Sequence, residues 1–523
     1  MTHPAASTAP TPGGGYAEDL TLAAFVPLTA ARLPDKIALV MGGDKRTFGR
    51  LDERAARLAN ALRVRGLDAG DRVGILMYNR LEFVEAVLAT HRVGAIAVPL
   101  NFRLAPAELD YIAAHAGLAG LITDADLAEA AAGMLERGDG EGFGLAVGGG
   151  PAPLEDYEEV LTGSMRDVTP PRARPDDVAL IMYTSGTTGR PKGAMLTHSN
   201  MVWQSCNMTV ALDVTEQDVW LSGAPLFHIA GIAGILPFLQ HGGTTVITPS
   251  GQFSAEESLA MLRDHGVTGC FFVPTQWDAI CRLPGAGDLA PPLRTAIWGA
   301  SPATRETLEL MNDTLVGVDV ITSFGQTEMC PSTTLLKDFN SLRKIGSIGT
   351  PMPNVEVRVV DDAGQEVPQG EVGEIVYRGP TVMLGYHDDE EATAEAFEDG
   401  WFHSGDLVRV DEDGFFYVVD RKKDMLISGG ENVYPAEVEA VVLEHQAVAD
   451  VSVIGVPHER WVETPLAIVV LAPGATVAEA ELIEFCRGRI AGYKRPSGVR
   501  FVEELPRNAG GKVLKRELRD RFA

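Results

Sequence analysis

Two hydrophobic periodicities alternate along the first third of the chain. Apolar residues three and four positions apart at 51–65 predict an amphipathic helix, while short apolar runs at 72–77 and 94–99 predict strands. The alternation predicts layered α/β structure. An acidic, Gly-rich stretch at 137–150 predicts a surface excursion. A second α/β set follows, with an apolar strand at 178–182, a helix capped from 197–200 and running through Met208, and strands at 269–273 and 293–297. Residues 355–378 read as β-rich. Strands around 451–455 and 467–471, with helices between them, predict a small α+β domain at the C-terminal end. There is no short-period repeat.

At 523 residues the chain exceeds what one core organises, so at least two domains are expected. The predicted division is a disordered tail at 1–16, an N-terminal domain at 17–422 and a mobile C-terminal domain at 423–523, with the charged run Asp420-Arg-Lys-Lys-Asp424 at the boundary. Asp and Glu total 72 against 44 Lys and Arg, a net charge of −28 that repels nucleic acid and anionic lipid at long range. The apolar run at 229–239 is broken by Gly231, Gly234 and Pro237, and no transmembrane segment is predicted. The first 15 residues lack the basic and apolar regions of a signal peptide. Five scattered cysteines without a C-x-x-C pair fit free thiols in a cytoplasmic protein. A homodimer is left open.

Chemistry concentrates first at Tyr183-Thr-Ser-Gly-Thr-Thr-Gly-Arg-Pro-Lys-Gly193, which leaves a predicted strand. Glycines let backbone approach an anion, hydroxyls and N–H groups point inward, and Lys192 adds positive charge, a combination suited to a polyphosphate. It is not a Walker A loop, because that spacing needs glycine at 191, where proline stands.

Further stretches follow in order: Pro225-Leu-Phe-His-Ile-Ala-Gly231, Trp298-Gly-Ala-Ser-Pro302, Ser323-Phe-Gly-Gln-Thr-Glu328, Trp401-Phe-His-Ser-Gly-Asp406, Ile427-Ser-Gly-Gly-Glu-Asn432 and Pro506-Arg-Asn-Ala-Gly-Gly-Lys512. Together with the 183–193 loop they resemble the adenylate-forming superfamily of acyl-CoA synthetases, aryl-CoA ligases, luciferases and peptide-synthetase adenylation domains. Two departures stand out. Phe324 replaces the usual tyrosine, which keeps stacking on adenine but loses a phenolic hydrogen bond. Ser404 replaces the usual threonine.

The resemblance implies an α/β fold, a large N-terminal domain of layered α/β subdomains plus a β-rich subdomain, with a small α+β C-terminal lid. It implies ATP, Mg²⁺ and coenzyme A as cofactors and a small-molecule carboxylic acid as substrate. Thr184, Ser185, Gly186, Thr187, Thr188, Gly189 and Lys192 would hold phosphates, and Thr184 and Glu328 the magnesium. Gly299, Ala300, Ser301, Ser323, Phe324, Gly325, Gln326 and Thr327 would line the nucleotide. Asp406 would take the ribose, with Arg421 a second nucleotide contact and Lys423 the pivot. Ser428, Gly429 and Gly430 would border the pantetheine arm. Lys512 would be the adenylation lysine, and His228 would stand at the mouth of the acyl tunnel.

The expected reaction is AMP-forming acid–thiol ligation through an acyl-adenylate, with release of pyrophosphate. The acyl lining that the resemblance implies, His228, Ile229, Ala230, Gly231, Thr275, Trp298, Gly299 and Met329, holds no Arg or Lys to pair a second carboxylate, which favours a monocarboxylate with an apolar body. A medium- or long-chain fatty acid is the first expectation, Gly299 being read as room for an elongated substrate. An aryl or cinnamate-type acid is the alternative, and adenylation without CoA is another.

Overall fold

The computed structural model describes residues 20–137, 142–166, 173–184, 191–301, 303–337, 340–428, 431–458, 461–487, 489–507 and 512–523. The predicted tail, Ser185 to Gly189 of the phosphate loop, and Gly429 and Gly430 lie outside the described residues. The chain divides into two compact units, one of residues up to 345 with 351–355 and 379–395, the other of 346–350, 356–378 and 396–523. The charged turn at 420–424 belongs to the second unit.

The first unit contains two sheets. In one, the parallel strands Val178–Thr184, Ile96–Pro99, Arg72–Leu76, Leu118–Asp124, Phe143–Val147 and Leu154–Asp156 lie side by side. Their near-continuous apolar runs suit strands covered on both faces, and Ala179, Leu180 and Ile181 are fully buried. Two antiparallel strands, Lys192–Thr197 and Gly385–Tyr386, extend the edge beyond Val178–Thr184. In the other sheet, Ile37–Met41, Thr244–Ile247, Val219–Ser222, Gly269–Phe272, Thr295–Gly299 and Asp319–Gly325 run parallel, with Asp44–Thr47 and Ser332–Leu336 antiparallel at its flanks. Trp277, Phe272, Trp298 and Met311 pack in a core beneath that sheet.

One expectation needed correction. The predicted surface excursion at 137–150 contains the strand Phe143–Val147, whose Leu145 and Ala146 are fully buried. Glycine there is a packing device rather than a loop signal: a Cβ at Gly144 would come within 2.4 Å of the Leu154 side chain. The chain leaving the phosphate loop returns as strand Lys192–Thr197 before the helix begins. The helix itself, His198–Leu212, starts where the cap predicted, with Thr197 Oγ1 accepting from Asn200 N at 3.1 Å and Asn200 Oδ1 accepting from Thr197 N at 2.9 Å.

In the second unit, Glu356–Val360, Val372–Arg378, Trp401–Val410 and Phe416–Arg421 form an antiparallel sheet. A further sheet orders Glu431–Val433, Leu426–Ser428, Val462–Leu471 and Val448–His458, with Gly498–Val502 parallel to Val462–Leu471. Helices Pro435–Leu443 and Glu479–Phe485 contribute Val438, Val442 and Leu482 to its core, giving the α+β element that the pattern predicts. Among the described residues no helix is long and apolar enough to cross a membrane.

Helix Leu81–Val93 of the first unit is buried along its length and carries His91, whose ring meets that of His198 edge-on at 4.9 Å. The His91 Nε2–H donates to the Ala179 carbonyl at 3.0 Å. Burial lowers His91 to about 4 and holds His198 well below the ordinary imidazole value of 6.5. Both rings are therefore neutral when folded and protonate more readily when unfolded. Their stabilisation is complete above the unfolded pKa; for His91 it is lost as pH falls from 6.5 toward 4, and for His198 it is likewise lost as pH falls below 6.5. His91 is expected to cost the first unit about 1.4 kcal/mol per pH unit over that window. His91→Gln should flatten the slope of the denaturation midpoint against pH, a measurement that fails the assignment if the slope is unchanged.

Candidate active site

In the first unit, the predicted phosphate-binding and adenine-binding stretches occupy strand ends. Thr184 and Lys192 are direct partners across the antiparallel pair, so the loop between them leaves and returns at one place. Gly299 and Ser323 pair in register at the carboxyl ends of adjacent parallel strands, the usual place for a ligand in an open α/β sheet. A Cβ on Gly299 would stand 2.1 Å from the Ser323 carbonyl oxygen. Glycine at 299 thus permits close strand approach, a different reason from the substrate room read from the sequence. Trp298 points to the opposite face, into the core with Trp277. Ala300 and Ser301 are exposed just beyond the strand, Ala300 with a φ of 66°.

After Gly325 the chain makes a one-turn helix, Thr327–Met329, and returns as Ser332–Leu336. Ser323 Oγ and Ser332 Oγ lie 2.9 Å apart, and Thr333 Oγ1 donates to the Phe324 carbonyl at 3.1 Å. This hairpin leaves Phe324, Gln326, Thr327 and Glu328 half-buried. A Cβ on Gly325 would sit 1.8 Å from the Pro331 carbonyl oxygen, so no larger residue fits the turn. Cys330 is fully buried and its thiol is pushed up by burial, which suits a packing residue and not a nucleophile.

Glu328 is held at both ends. Its carbonyl accepts from Met383 N at 2.8 Å, and its Oε1 accepts from the Tyr386 hydroxyl at 3.0 Å. The ammonium of Lys192 lies 5.3 Å from the centroid of the same Tyr386 ring. Tyr386 therefore joins Lys192 and Glu328, residues 136 positions apart, though no periodicity marks it in the sequence. Among the described residues no cluster of three metal-ligating side chains occurs. A single carboxylate suits Mg²⁺, which binds through one or two protein carboxylates together with substrate phosphates and water. Glu328 fits that role.

His228 occupies the position before helix Ile229–His241 and lies in a separate aromatic row. Its ring is 4.7 Å from Phe227, Phe227 is 5.1 Å from Phe102, and Phe102 is 4.7 Å from Tyr78. The Arg103 guanidinium lies 5.5 Å from the Phe102 centroid and 6.0 Å from that of Phe227. Asn79 ties the row down: its Oδ1 accepts from Leu226 N at 2.8 Å and its Nδ2 donates to the Thr248 carbonyl at 3.1 Å. A Cβ on Gly231 would be 2.2 Å from the Pro225 carbonyl oxygen, so the helix start needs glycine. Tyr78, Asn79, Phe102 and Arg103 were not singled out in the sequence because they lie more than 120 residues before His228.

The second unit carries the predicted ribose and adenylation residues. Asp406 pairs in register with Arg421, whose Nε lies 2.9 Å from its Oδ1. Burial raises the Asp406 pKa, opposed by the charges of Arg421 and of Lys512. Lys512 is exposed, and its charge acts on both Asp406 and Lys423. Burial, with repulsion from Arg421 and Lys512, lowers the Lys423 pKa. Ser404 Oγ donates to the Ile375 carbonyl at 2.5 Å and accepts from Asp406 N at 3.0 Å, so a serine hydroxyl suffices where threonine is usual. The buried Glu374 accepts from Gly405 N at 2.9 Å, from His403 Nδ1 at 3.1 Å and from Lys422 Nζ at 3.2 Å. Burial pushes its carboxyl up, but these donors hold it below the ordinary range. Glu374 thereby fixes the turn that presents Asp406. Ser428 is buried at the end of strand Leu426–Ser428.

A family model described as AMP-binding enzyme matches residues 27–387, and one described as AMP-binding enzyme C-terminal domain matches 437–512. A feruloyl-CoA synthase from an Amycolatopsis species is 42% identical over 502 residues, 95% of this chain and 98% of its own. The o-succinylbenzoate CoA synthetase of Bacillus subtilis, solved with the acyl-adenylate intermediate OSB-AMP, is 34% identical with a TM-score of 0.84, over 95% of this chain and 98% of that one. The same enzyme solved with ATP and magnesium ion is 33% identical with a TM-score of 0.84, over 94% and 98%. The chain belongs to the AMP-binding enzyme family, within the adenylate-forming acyl-CoA synthetase superfamily. It is an AMP-forming acid–thiol ligase that uses ATP, Mg²⁺ and CoA and proceeds through an adenylate.

Gly325→Ala should displace the 323–328 hairpin and weaken ATP binding roughly 5- to 100-fold, since forcing a Cβ against the Pro331 carbonyl costs on the order of 1–3 kcal/mol. Fluorescent-nucleotide titration measures it, and wild-type affinity in the variant would show that the turn does not shape the nucleotide site.

Proposed function

We propose that the chain activates an aryl monocarboxylic acid of the cinnamate type and transfers it to CoA. The observation that carries this reading is the row Tyr78, Phe102, Phe227 and His228, which offers flat aromatic faces beside the histidine expected at the acyl mouth. The relatives support it over the fatty acid expected first: one acts on ferulate, a cinnamate-type acid, and the other on an aromatic succinylbenzoate. Arg103 against Phe227 changes the charge expected around the acid, because the mapped lining had held no Arg or Lys. A second anionic group on the aryl substrate, as in succinylbenzoate, is therefore the other substrate to test. ATP and CoA as co-substrates and five free cysteines favour a cytoplasmic location.

The carboxylate is ionised at neutral pH and needs placement more than activation. One carboxylate oxygen bonds to the α-phosphorus as pyrophosphate leaves with the bridging oxygen, so negative charge grows on the departing phosphates. Lys192 and the backbone around it meet the phosphates, Asp406 takes the ribose hydroxyls, and Lys512 answers the charge at the reacting phosphorus. Magnesium held by Glu328 and Thr184 would supply further neutralisation of the phosphates. In the second half-reaction the CoA sulfur bonds to the acyl carbon and AMP leaves. That step needs a thiol where Lys512 had been, so the chain beyond Lys423 is proposed to turn about that residue and bring the 428–430 loop to the thioester side.

ATP–pyrophosphate exchange and CoA-dependent AMP release, run over ferulate, cinnamate, succinylbenzoate, octanoate and palmitate, should give the highest kcat/KM with the cinnamate-type acids. A clear preference for either fatty acid overturns the reading. Lys512→Ala should slow adenylate formation roughly 10²–10³-fold, the scale of one lost charge-stabilising group. The variant should still convert a supplied acyl-adenylate and CoA to thioester, and equal loss in both halves would count against the two-state scheme.

A further inference from the structure

Glu328 and Lys192 carry opposite charges in one neighbourhood, yet among the described residues they form no ion pair, and Tyr386 lies against both. Its hydroxyl donates its one proton to Glu328 Oε1, while the Lys192 ammonium lies over its ring, 5.3 Å from the centroid. The segment that carries it has little freedom. Tyr386 pairs with Ala194 and Gly385 with Met195, Leu384 N donates to the Met195 carbonyl at 2.9 Å, and His387 N donates to the Gly193 carbonyl at 2.8 Å. Tyr386 N donates to Thr393 Oγ1 at 2.9 Å, and a Cβ on Gly385 would press on the Thr393 methyl at 2.9 Å. Such a backbone directs the side chain to one place.

Direct pairing of Lys192 with Glu328 would neutralise both groups before nucleotide arrives. The ammonium would have to be pulled from a carboxylate to reach phosphate, and the carboxylate would be taken from its metal. We propose that Tyr386 is a positioning residue that holds these opposite charges apart, its hydroxyl aiming Glu328 for the metal and its ring keeping Lys192 available for phosphate. This rests on the adenylation reading of the same site and assigns a role to a side chain outside the nucleotide contacts.

The test reads binding rather than turnover. Metal affinity is measured by Mn²⁺ paramagnetic resonance with a non-hydrolysable ATP analogue, and metal-free nucleotide affinity by titrating a fluorescent ATP analogue in chelator. Tyr386→Phe keeps the ring, so it should weaken Mn²⁺ roughly 10-fold, the lower range for loss of a partner to a metal ligand, with metal-free nucleotide affinity unchanged. Tyr386→Leu removes the spacer, so metal-free affinity should fall as well. Adding Glu328→Gln to Tyr386→Leu should restore metal-free affinity, because Lys192 then has no carboxylate to collapse onto. A merely structural tyrosine would give no such rescue. The proposal is overturned if Tyr386→Phe leaves Mn²⁺ affinity at the wild-type value, or if Glu328→Gln fails to restore nucleotide binding in the Tyr386→Leu background. Failure of the wild-type chain to bind nucleotide would instead remove the adenylation reading itself.

Discussion

Opposite charges that must both meet the same ligand cannot be allowed to satisfy each other first. A triphosphate with its magnesium asks for cationic donors and a carboxylate within a few ångströms, and in a half-buried site an ammonium and a carboxylate attract strongly. In the first unit the solution is an aromatic ring between them, Tyr386, fixed by the short strand Gly385–Tyr386 at the antiparallel edge of an otherwise parallel sheet. In the second unit the pairing is direct: Arg421 meets Asp406 at 2.9 Å, with Glu374 bracing the turn beneath. There the neighbouring cation favours the ionised form of the carboxylate, against the burial that opposes it.

The sheet architecture explains why these groups gather at strand ends. Parallel strands bring successive carboxyl ends to one edge, and Gly299 and Ser323 show how tightly two of them approach, with room for no Cβ between. In the other sheet an antiparallel strand beside Val178–Thr184 sends the chain back on itself, so Thr184 and Lys192 emerge as neighbours. Glycines at 231 and 325 likewise let backbone approach backbone where an added Cβ would stand 2.2 and 1.8 Å from a carbonyl oxygen. Several glycines that invite a reading as flexibility or substrate space are consequences of close packing.

The substrate question turns on a part of the molecule that motif reading does not reach. His228 and its immediate neighbours are legible as a motif, whereas Tyr78, Phe102 and Arg103 become relevant only because Asn79 pins the 226–228 turn against the strand-end segments from 78 and 248. The aromatic row and the related ligases of aromatic acids agree in direction, against the aliphatic acid that pocket mapping along the chain had favoured.

Local chemistry was legible from residue order: the helix cap at Thr197, the alternation of apolar runs, the small α+β domain near the C-terminus, and the motifs that mark the chain's family. These follow from interactions within a few positions of each other, which periodicity and motif spacing encode directly. The strand at 143–147, the return strand at 192–197 and the meeting of Tyr386 with both Lys192 and Glu328 were decided by the fold. They depend on which strands become neighbours and in what register, a matter of burial summed over the whole sheet, and no window of residues along the chain carries that sum.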